Sequence, residues 1–320
     1  MPAISVSAPG KIILCGEHAV VYGTPAIALP VTQVSTRTSL FAHPISPAGE
    51  VRITAPSIGL DSTLDLLSNQ HPLRAAILLV EEELGITALP ACEIHITTSI
   101  PLAAGLGSSA SVTVSLVRAL SQFMGHPFSD EVVNKIAFEV EKIHHGTPSG
   151  IDNTVITYQT PVFFRKGFPI AHLDVLNEFT LVIADSGTAS STAKTVAGVR
   201  ERWLQESKKY EDYFGQIGAL TNSISQVLRS GDLTLDGSLL TENHELLRSI
   251  GVSTSLLDRL VASALDAGAT GAKLSGGGGG GNVIAIVDPS LVSGVAQALT
   301  SCGAVRTIIT TIPGTMGMRQ

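Results

Sequence analysis

The sequence predicts an α+β protein of two lobes. Three observations lead there. Strand and helix patterns are mixed along the whole chain. The pattern breaks at Phe168-Pro169 and restarts with a strand. The 320 residues, 44% of them hydrophobic, can bury one large core or two moderate ones. We draw the lobes as residues 1–168 and 169–320.

Ile4 to Val6, Lys11 to Leu14 and the alternation Cys92, Ile94, Ile96 predict strands, because apolar side chains at period two cover one sheet face. Ser109 to Phe123 predicts a helix, with Ser108 and Ser109 as caps and Val112, Leu116 and Leu120 at helical spacing. A second helix, about Asp130 to His144, follows Pro127 and Ser129. Beyond Pro169 come a strand, Phe179 to Ala184, and a long helical region with Val196, Val199, Trp203, Ile217, Leu220 and Ile224 on one stripe. A helix near Ser255 to Ala267, a strand Val283 to Val287, a helix near Ser293 to Leu299 and a strand near Val305 to Ile312 complete the chain.

The formal net charge is −7 and the 20 Lys+Arg are scattered. No basic face is therefore expected for a nucleic acid or an anionic membrane, and any phosphate must be held by backbone amides, helix starts and a metal ion. Cys15, Cys92 and Cys302 show neither CxxC nor Cys/His spacing, which predicts a reducing setting. Apolar stretches such as Ala75 to Val80 run into charges such as Glu81, and no leader-like pattern opens the chain, so a cytoplasmic protein is expected.

Four segments carry chemistry. Pro101-Leu-Ala-Ala-Gly105-Leu-Gly107-Ser108-Ser109-Ala110 joins a strand to a helix, and glycines before a helix start let N–H groups reach an anion. It lacks the lysine of a Walker A loop, and Gly125-His126-Pro127 stands where a dinucleotide site needs an acidic residue. Alone it also fits a turn that only caps a helix. Lys273-Leu-Ser-Gly276 through Gly281-Asn282 contains a glycine run costing roughly 0.5–1 kcal/mol per residue in folding entropy, which favours close ligand approach over a flexible loop. Glu141 to Asn153 sets one carboxylate at a helix end and another, Asp152, beyond a Pro/Gly turn, so one can hold magnesium while the other accepts a proton. Read singly, Glu141 also fits a solvated helix position and Asp152 a turn aspartate. His144 and His145 lack a third ligand at zinc spacing and are read as structural. Ala8 to Gly23 supplies Lys11, Glu17 and His18 around glycine turns, a mixture suited to a polar anionic substrate.

In this order the four segments resemble the GHMP kinase superfamily, which includes galactokinase, homoserine kinase, mevalonate kinase and phosphomevalonate kinase, over most of the chain. Gly16-Glu17-His18-Ala-Val-Val-Tyr22-Gly23, His145 through Asn153, and Asn243-His244-Glu-Leu-Leu247 through Gly251-Val252 resemble its mevalonate kinase branch. The resemblance implies a two-lobed GHMP kinase fold, with an N-terminal ribosomal-protein-S5-domain-2-like lobe and a C-terminal ferredoxin-like lobe. It implies Mg-ATP-dependent phosphorylation of the mevalonate 5-hydroxyl, in isoprenoid biosynthesis, by a monomer or homodimer.

By the same resemblance Asp152 is the base and Lys11 stabilises its ionised form. Glu141 with Ser108 or Ser109 holds Mg2+, and Glu17, His18 and Thr192 orient the substrate. Pro101, Ala104, Gly105, Leu106, Gly107, Ser108, Ser109 and Ala110, with Gly277, Gly278 and Gly279, bind ATP. The sequence departs from the family at Ser275, Gly277 and Asn282, where Thr, Ala and Cys are frequent, and at Ser190, where animal enzymes place an arginine. Other readings are a GHMP kinase acting on phosphomevalonate, homoserine or a sugar, and a non-catalytic relative; the joint presence of Lys11, Glu141 and Asp152 speaks against the latter.

Overall fold

The computed structural model describes residues 4–101, 104–145, 148–169, 171–189, 192–231 and 237–315, without the side chains of His144 and His145. In chain order the elements are β1 Ile4–Cys15, β2 Ala26–Ala42, β3 Val51–Ala55, β4 Leu60–Thr63, α1 Pro72–Leu84, β5 Cys92–Thr98, α2 Ser108–Phe123, α3 Asp130–His145 and α4 Ile151–Tyr158. There follow β6 Val162–Phe164, β7 Ala171–His172, β8 Phe179–Asp185, α5 Thr192–Gln205, α6 Ser207–Ser230, α7 Ser238–Ser249, α8 Ser255–Asp266, β9 Gly271–Ser275, β10 Asn282–Val287, α9 Val292–Ser301 and β11 Arg306–Ile312.

The chain forms two compact units. The first comprises Met1–Gly10, Val34–Pro101 and Gly107–Gln159, and the second Lys11–Gln33, Leu102–Leu106 and Thr160–Gln320, so β1 and β2 contribute to both. In the first unit β3 pairs with β4 antiparallel and with β5 in parallel, and β5 pairs antiparallel with the Thr36 to Ala42 half of β2. The period-two pattern of β5 works as read: Cys92, Ile94 and Ile96 are buried, while Glu93 and His95 are half-exposed. Their apolar face joins Leu40 and Ile53 of the sheet to Ile77 of α1, Val114 and Val117 of α2 and Val140 of α3 in one core. Emptying a site such as Ile94 by substitution with alanine costs about 2–5 kcal/mol.

In the second unit β8 and β10 are buried along almost their whole length, with continuous apolar runs Leu181 to Ala184 and Val283 to Val287, because they occupy the middle of a sheet ordered β11-β8-β10-β9. Numbered by chain position these strands run 4-1-3-2, the ferredoxin-like arrangement. Helices α8 and α9 pack on this sheet and α7 lies against β9. Thr254 caps α8 by accepting the Leu257 N–H at 3.3 Å. The Ala26 to Ala28 end of β2 pairs with β6, and β6 with β7.

Two elements differ from the sequence reading. Residues 4–6 and 11–14 belong to one strand, since the residue before a proline is driven into extended backbone and Ala8-Pro9-Gly10 carries β1 forward without a break. The long helical region is two helices, α5 and α6, parted where Glu206 leaves helical geometry at φ −130° and ψ 51°. Among the described residues no helix is long and apolar enough to cross a membrane.

Candidate active site

In the first unit α2 begins on Gly107, held at φ +74°, with no side-chain cap. Its first amides therefore point outward as donors at the positive end of the helix dipole. The Ser109 hydroxyl, one residue into the helix, donates to Glu141 Oε1 at 2.7 Å. Glu141 is only 2% exposed, so it is a buried carboxylate on the inward face of α3. Ser108 and Pro101 are half-buried and Ala110 fully buried. Among the described residues no group of three His, Cys, Asp or Glu side chains is placed to hold a metal. Mg2+ needs none, since it takes one or two protein oxygens together with substrate phosphates and water, and the Glu141 and Ser109 oxygens fit that demand.

Asp152 lies in the first turn of α4, which starts on Gly150 at φ +91°. The sequence reading placed it beyond a turn; the turn is itself a helix start. Thr154 fastens this start by donating to the Gly150 carbonyl at 2.6 Å, and buried Asn153 donates to Asn134 Oδ1 of α3 at 2.6 Å. Thus α4 is anchored on both sides of Asp152, and α3 carries Glu141 seven residues, about two turns, beyond the Asn134 anchor.

The second unit holds the remaining candidates. Lys11 is 4% exposed, and its N–H donates to the Leu106 carbonyl at 2.9 Å. Ala104 and Leu106 are buried, while Gly105 is exposed at φ +77° with nothing within 4 Å of a Cβ there. Gly16, at φ +99°, turns the chain into Glu17 and His18; a Cβ on it would lie 2.4 Å from the Pro25 carbonyl oxygen. Among the described residues His18 is one of two non-glycine residues with positive φ, at +59°, and is 6% exposed. Its Nε2 bonds the Gly277 carbonyl at 2.9 Å, and since a carbonyl only accepts, Nε2 carries the proton. Burial, seconded by the positive charges of Arg202 and Lys273, pushes the His18 pKa down to about 4 against the opposing Gly277 bond. The ring is therefore neutral at pH 7, with Nδ1 left as an acceptor. Glu17, 2% exposed, is ion-paired through Oε1 to Lys273, which is fully buried. Close by, burial and the Glu17 charge raise the Cys15 thiol to about 12.

The glycine run is a folded loop. The Gly279 N–H donates to the Val252 carbonyl at 2.8 Å and the Gly281 N–H to the Thr188 carbonyl at 3.0 Å. A Cβ on Gly278 would lie 2.2 Å from the Val252 oxygen, and one on Gly280 2.5 Å from the Thr188 oxygen. A Cβ on Gly277 would lie 2.9 Å from Thr192 Oγ1, which places Thr192 beside the loop. The family departures have local causes: Ser275 donates to the Ile13 carbonyl at 2.7 Å, and Asn282 Nδ2 donates to the Ala104 carbonyl. These positions act through side chains, where the sequence reading assigns the loop's work to its backbone.

Thus Ser109 meets Glu141 in the first unit, and Glu17, His18, Thr192 and Gly277 gather in the second, while Asp152 and Lys11 belong to different units. Ser190 and Ser191, Gly146 and Thr147, the His144 and His145 side chains, and Leu102 and Ala103 of the central loop lie outside the described residues. Three contributors carry no role in the sequence reading: Lys273, Arg202, which donates to the Ile250 carbonyl at 2.9 Å beside Val252, and Asn153. The signal for Lys273 was present, a lysine interrupting the apolar approach Gly271-Ala-Lys-Leu.

The family models described as "GHMP kinases N terminal domain" and "GHMP kinases C terminal" match residues 71–160 and 224–305. The mevalonate kinase of Thermococcus onnurineus is 35% identical, aligned over 94% of this chain and 93% of its own length. That of Homo sapiens is 30% identical over 93% of this chain and 90% of its own. The crystal structure of L. major mevalonate kinase in complex with R-mevalonate superposes with a TM-score of 0.84 at 29% identity, covering 97% of this chain and 96% of that one.

Proposed function

The chain belongs to the GHMP kinases and, within them, to the mevalonate kinase family, and from that membership we propose that it transfers the γ-phosphoryl group of ATP to the 5-hydroxyl of mevalonate, giving 5-phosphomevalonate. The observation that carries this reading is similarity to mevalonate kinases running nearly end to end in both partners. We set the boundary between its N- and C-terminal domains after Phe168, in the interval between the two family matches. We expect a cytoplasmic enzyme, as monomer or homodimer.

Phosphoryl transfer has a loose transition state, so the protein's task is to position reactants and offset charge. Mg2+, when bound, neutralises charge on the β- and γ-phosphates. Glu141 and Ser109 would hold it, the buried carboxylate supplying an anionic oxygen and the hydroxyl a neutral one, with Ser108 beside them. The uncapped start of α2, from Gly107 to Ala110 after Gly105, offers N–H groups to phosphate. Pro101, Ala104 and Leu106 set the course of that loop, and Gly277 to Gly279 would also bind the nucleotide. Asp152 takes the proton of the 5-hydroxyl as its oxygen attacks phosphorus, and the Lys11 ammonium favours ionised Asp152. Neutral His18 presents Nδ1 as an acceptor for a substrate hydroxyl, and Glu17 and Thr192 fix the turn and the helix start beside it.

A coupled assay of ADP release with mevalonate, phosphomevalonate, homoserine and galactose tests the acceptor. Turnover is expected with mevalonate and essentially none with the others. Comparable turnover of another acceptor would overturn the substrate while leaving family membership intact.

A further inference from the structure

Lys273 is the largest fully buried side chain among the described residues and has no part in the mechanism above. A lysine without water must be paired, because burying an isolated ammonium costs several kcal/mol. Its partner is Glu17 Oε1, on a carboxylate equally sealed from solvent, and Glu17 Oε2 has no hydrogen-bond partner among the described residues. The next residue, His18, holds a backbone conformation at φ +59° and ψ −51° that few non-glycine residues adopt. Such a conformation is strained and persists only where its surroundings hold it. The surroundings are two contacts back to the segment carrying Lys273. His18 Nε2 donates to the Gly277 carbonyl at 2.9 Å, and Ser275 Oγ donates to the Ile13 carbonyl at 2.7 Å. Lys273 and Ser275 stand two apart on β9 and so share a face. Lys273 to Glu17, Glu17 to His18, His18 to Gly277 and the chain back to Lys273 close a ring, with Ser275 as a crossbrace.

We infer that Lys273 is a positioning residue of the kinase: by holding Glu17 it keeps the strained His18 on the Gly277 carbonyl, so that the turn at 16–23 and the glycine-rich loop move as one piece and acceptor and nucleotide sites stay in register. The inference rests on the reading that His18 meets the acceptor and the loop the nucleotide. Buried ion pairs contribute little net stability and are often replaced by apolar groups without loss. The ring therefore serves geometry more than stability. The charges facing His18 are Glu17 on its own turn, Arg202 of α5 and Lys273 of β9, and the two cations together favour its neutral form.

Lys273→Met alone strands a buried carboxylate and is expected to unfold more easily than the parent. The decisive protein is therefore the full chain with Glu17→Gln and Lys273→Met together, which removes both charges. Its thermal midpoint is expected within a few degrees of the parent, while kcat/KM for mevalonate falls on the order of 10- to 100-fold, as a misplacement of about 1 Å produces. A second readout needs no turnover: the His18 ring 15N shifts at pH 7, assigned by loss of the signals in His18→Gln, should report one Nε2–H tautomer in the parent and a mixture in the double variant. Parent-like kcat/KM in a folded double variant, or an unchanged His18 tautomer, would reduce the pair to a filler of the core and overturn the inference. A parent that turns over no mevalonate but shows the tautomer change would refute the acceptor and leave the ring standing.

Discussion

Glu141 and Asp152 sit on successive helices of the first unit, and their surroundings assign them different experiments. Buried Glu141 accepts the Ser109 hydroxyl, and Glu141→Gln should weaken Mg·ATP engagement, because a neutral amide is a poor partner for a hard cation. Raising magnesium should recover part of the activity. Asp152→Asn should lower kcat by on the order of 10²-fold or more with KM for ATP kept, and magnesium should not rescue it; near-normal kcat would reassign the base. His18 supplies a pH expectation. Its folded pKa of about 4 lies below the ordinary histidine value of 6.5, so the unfolded chain binds the proton more readily and stability is lost as pH falls through that window. The loss reaches roughly 2 kcal/mol by pH 5. Urea midpoints at pH 7 and pH 5 should show that slope in the parent and not in His18→Gln. The residue types at these positions were legible because phosphoryl transfer needs carboxylates, a cation and hydroxyls. Their burial was not: a lone Lys273 or Glu141 reads as a surface charge until the fold turns it inward.

At the scale of elements, periodicity carried the strands and helices whose apolar faces meet a core, as in β5, α2 and β10. Short or capped elements escaped it. Helix α4 starts on a glycine and spans eight residues, too few to display a stripe, and the junction between α5 and α6 interrupts no polarity pattern. The glycine-rich loop was legible as a site but not as a packed object, since the carbonyls it presses on come from Thr188 and Val252, distant in sequence. Two substitutions separate these aspects. Gly278→Ala sets a Cβ 2.2 Å from a backbone oxygen at φ +69°, and should cost more than about 2 kcal/mol in denaturant unfolding. Gly276→Ala, at φ +92° with open space around the Cβ, should cost only the left-handed strain of about 1–2 kcal/mol. Equal losses would mean that the neighbouring carbonyl moves aside freely.

Across the whole molecule the three cysteines report how completely the interior is closed. Cys15 and Cys92 are buried with thiols raised to about 12, chiefly by desolvation, while Cys302 is half-exposed. A disulfide reagent should therefore label one thiol rapidly in the native protein, and Cys302→Ser should abolish that fast phase; rapid labelling of a second thiol would show that the interior opens. The order of the two units along the chain has a consequence in time. Every residue of the first unit precedes Thr160, so its contacts can form once Gln159 has cleared the ribosome, while the rest of the chain is still being synthesised. The second unit must wait: apart from Leu102–Leu106, the rest of the unit to which Lys11–Gln33 belong lies in Thr160–Gln320, which emerges last and closes a loop containing an already folded body. Nascent chains thus carry the turn with Glu17 and His18 uncovered for most of their synthesis, and an insertion that slows translation past Gln159 prolongs that exposure without altering a single contact of the finished enzyme.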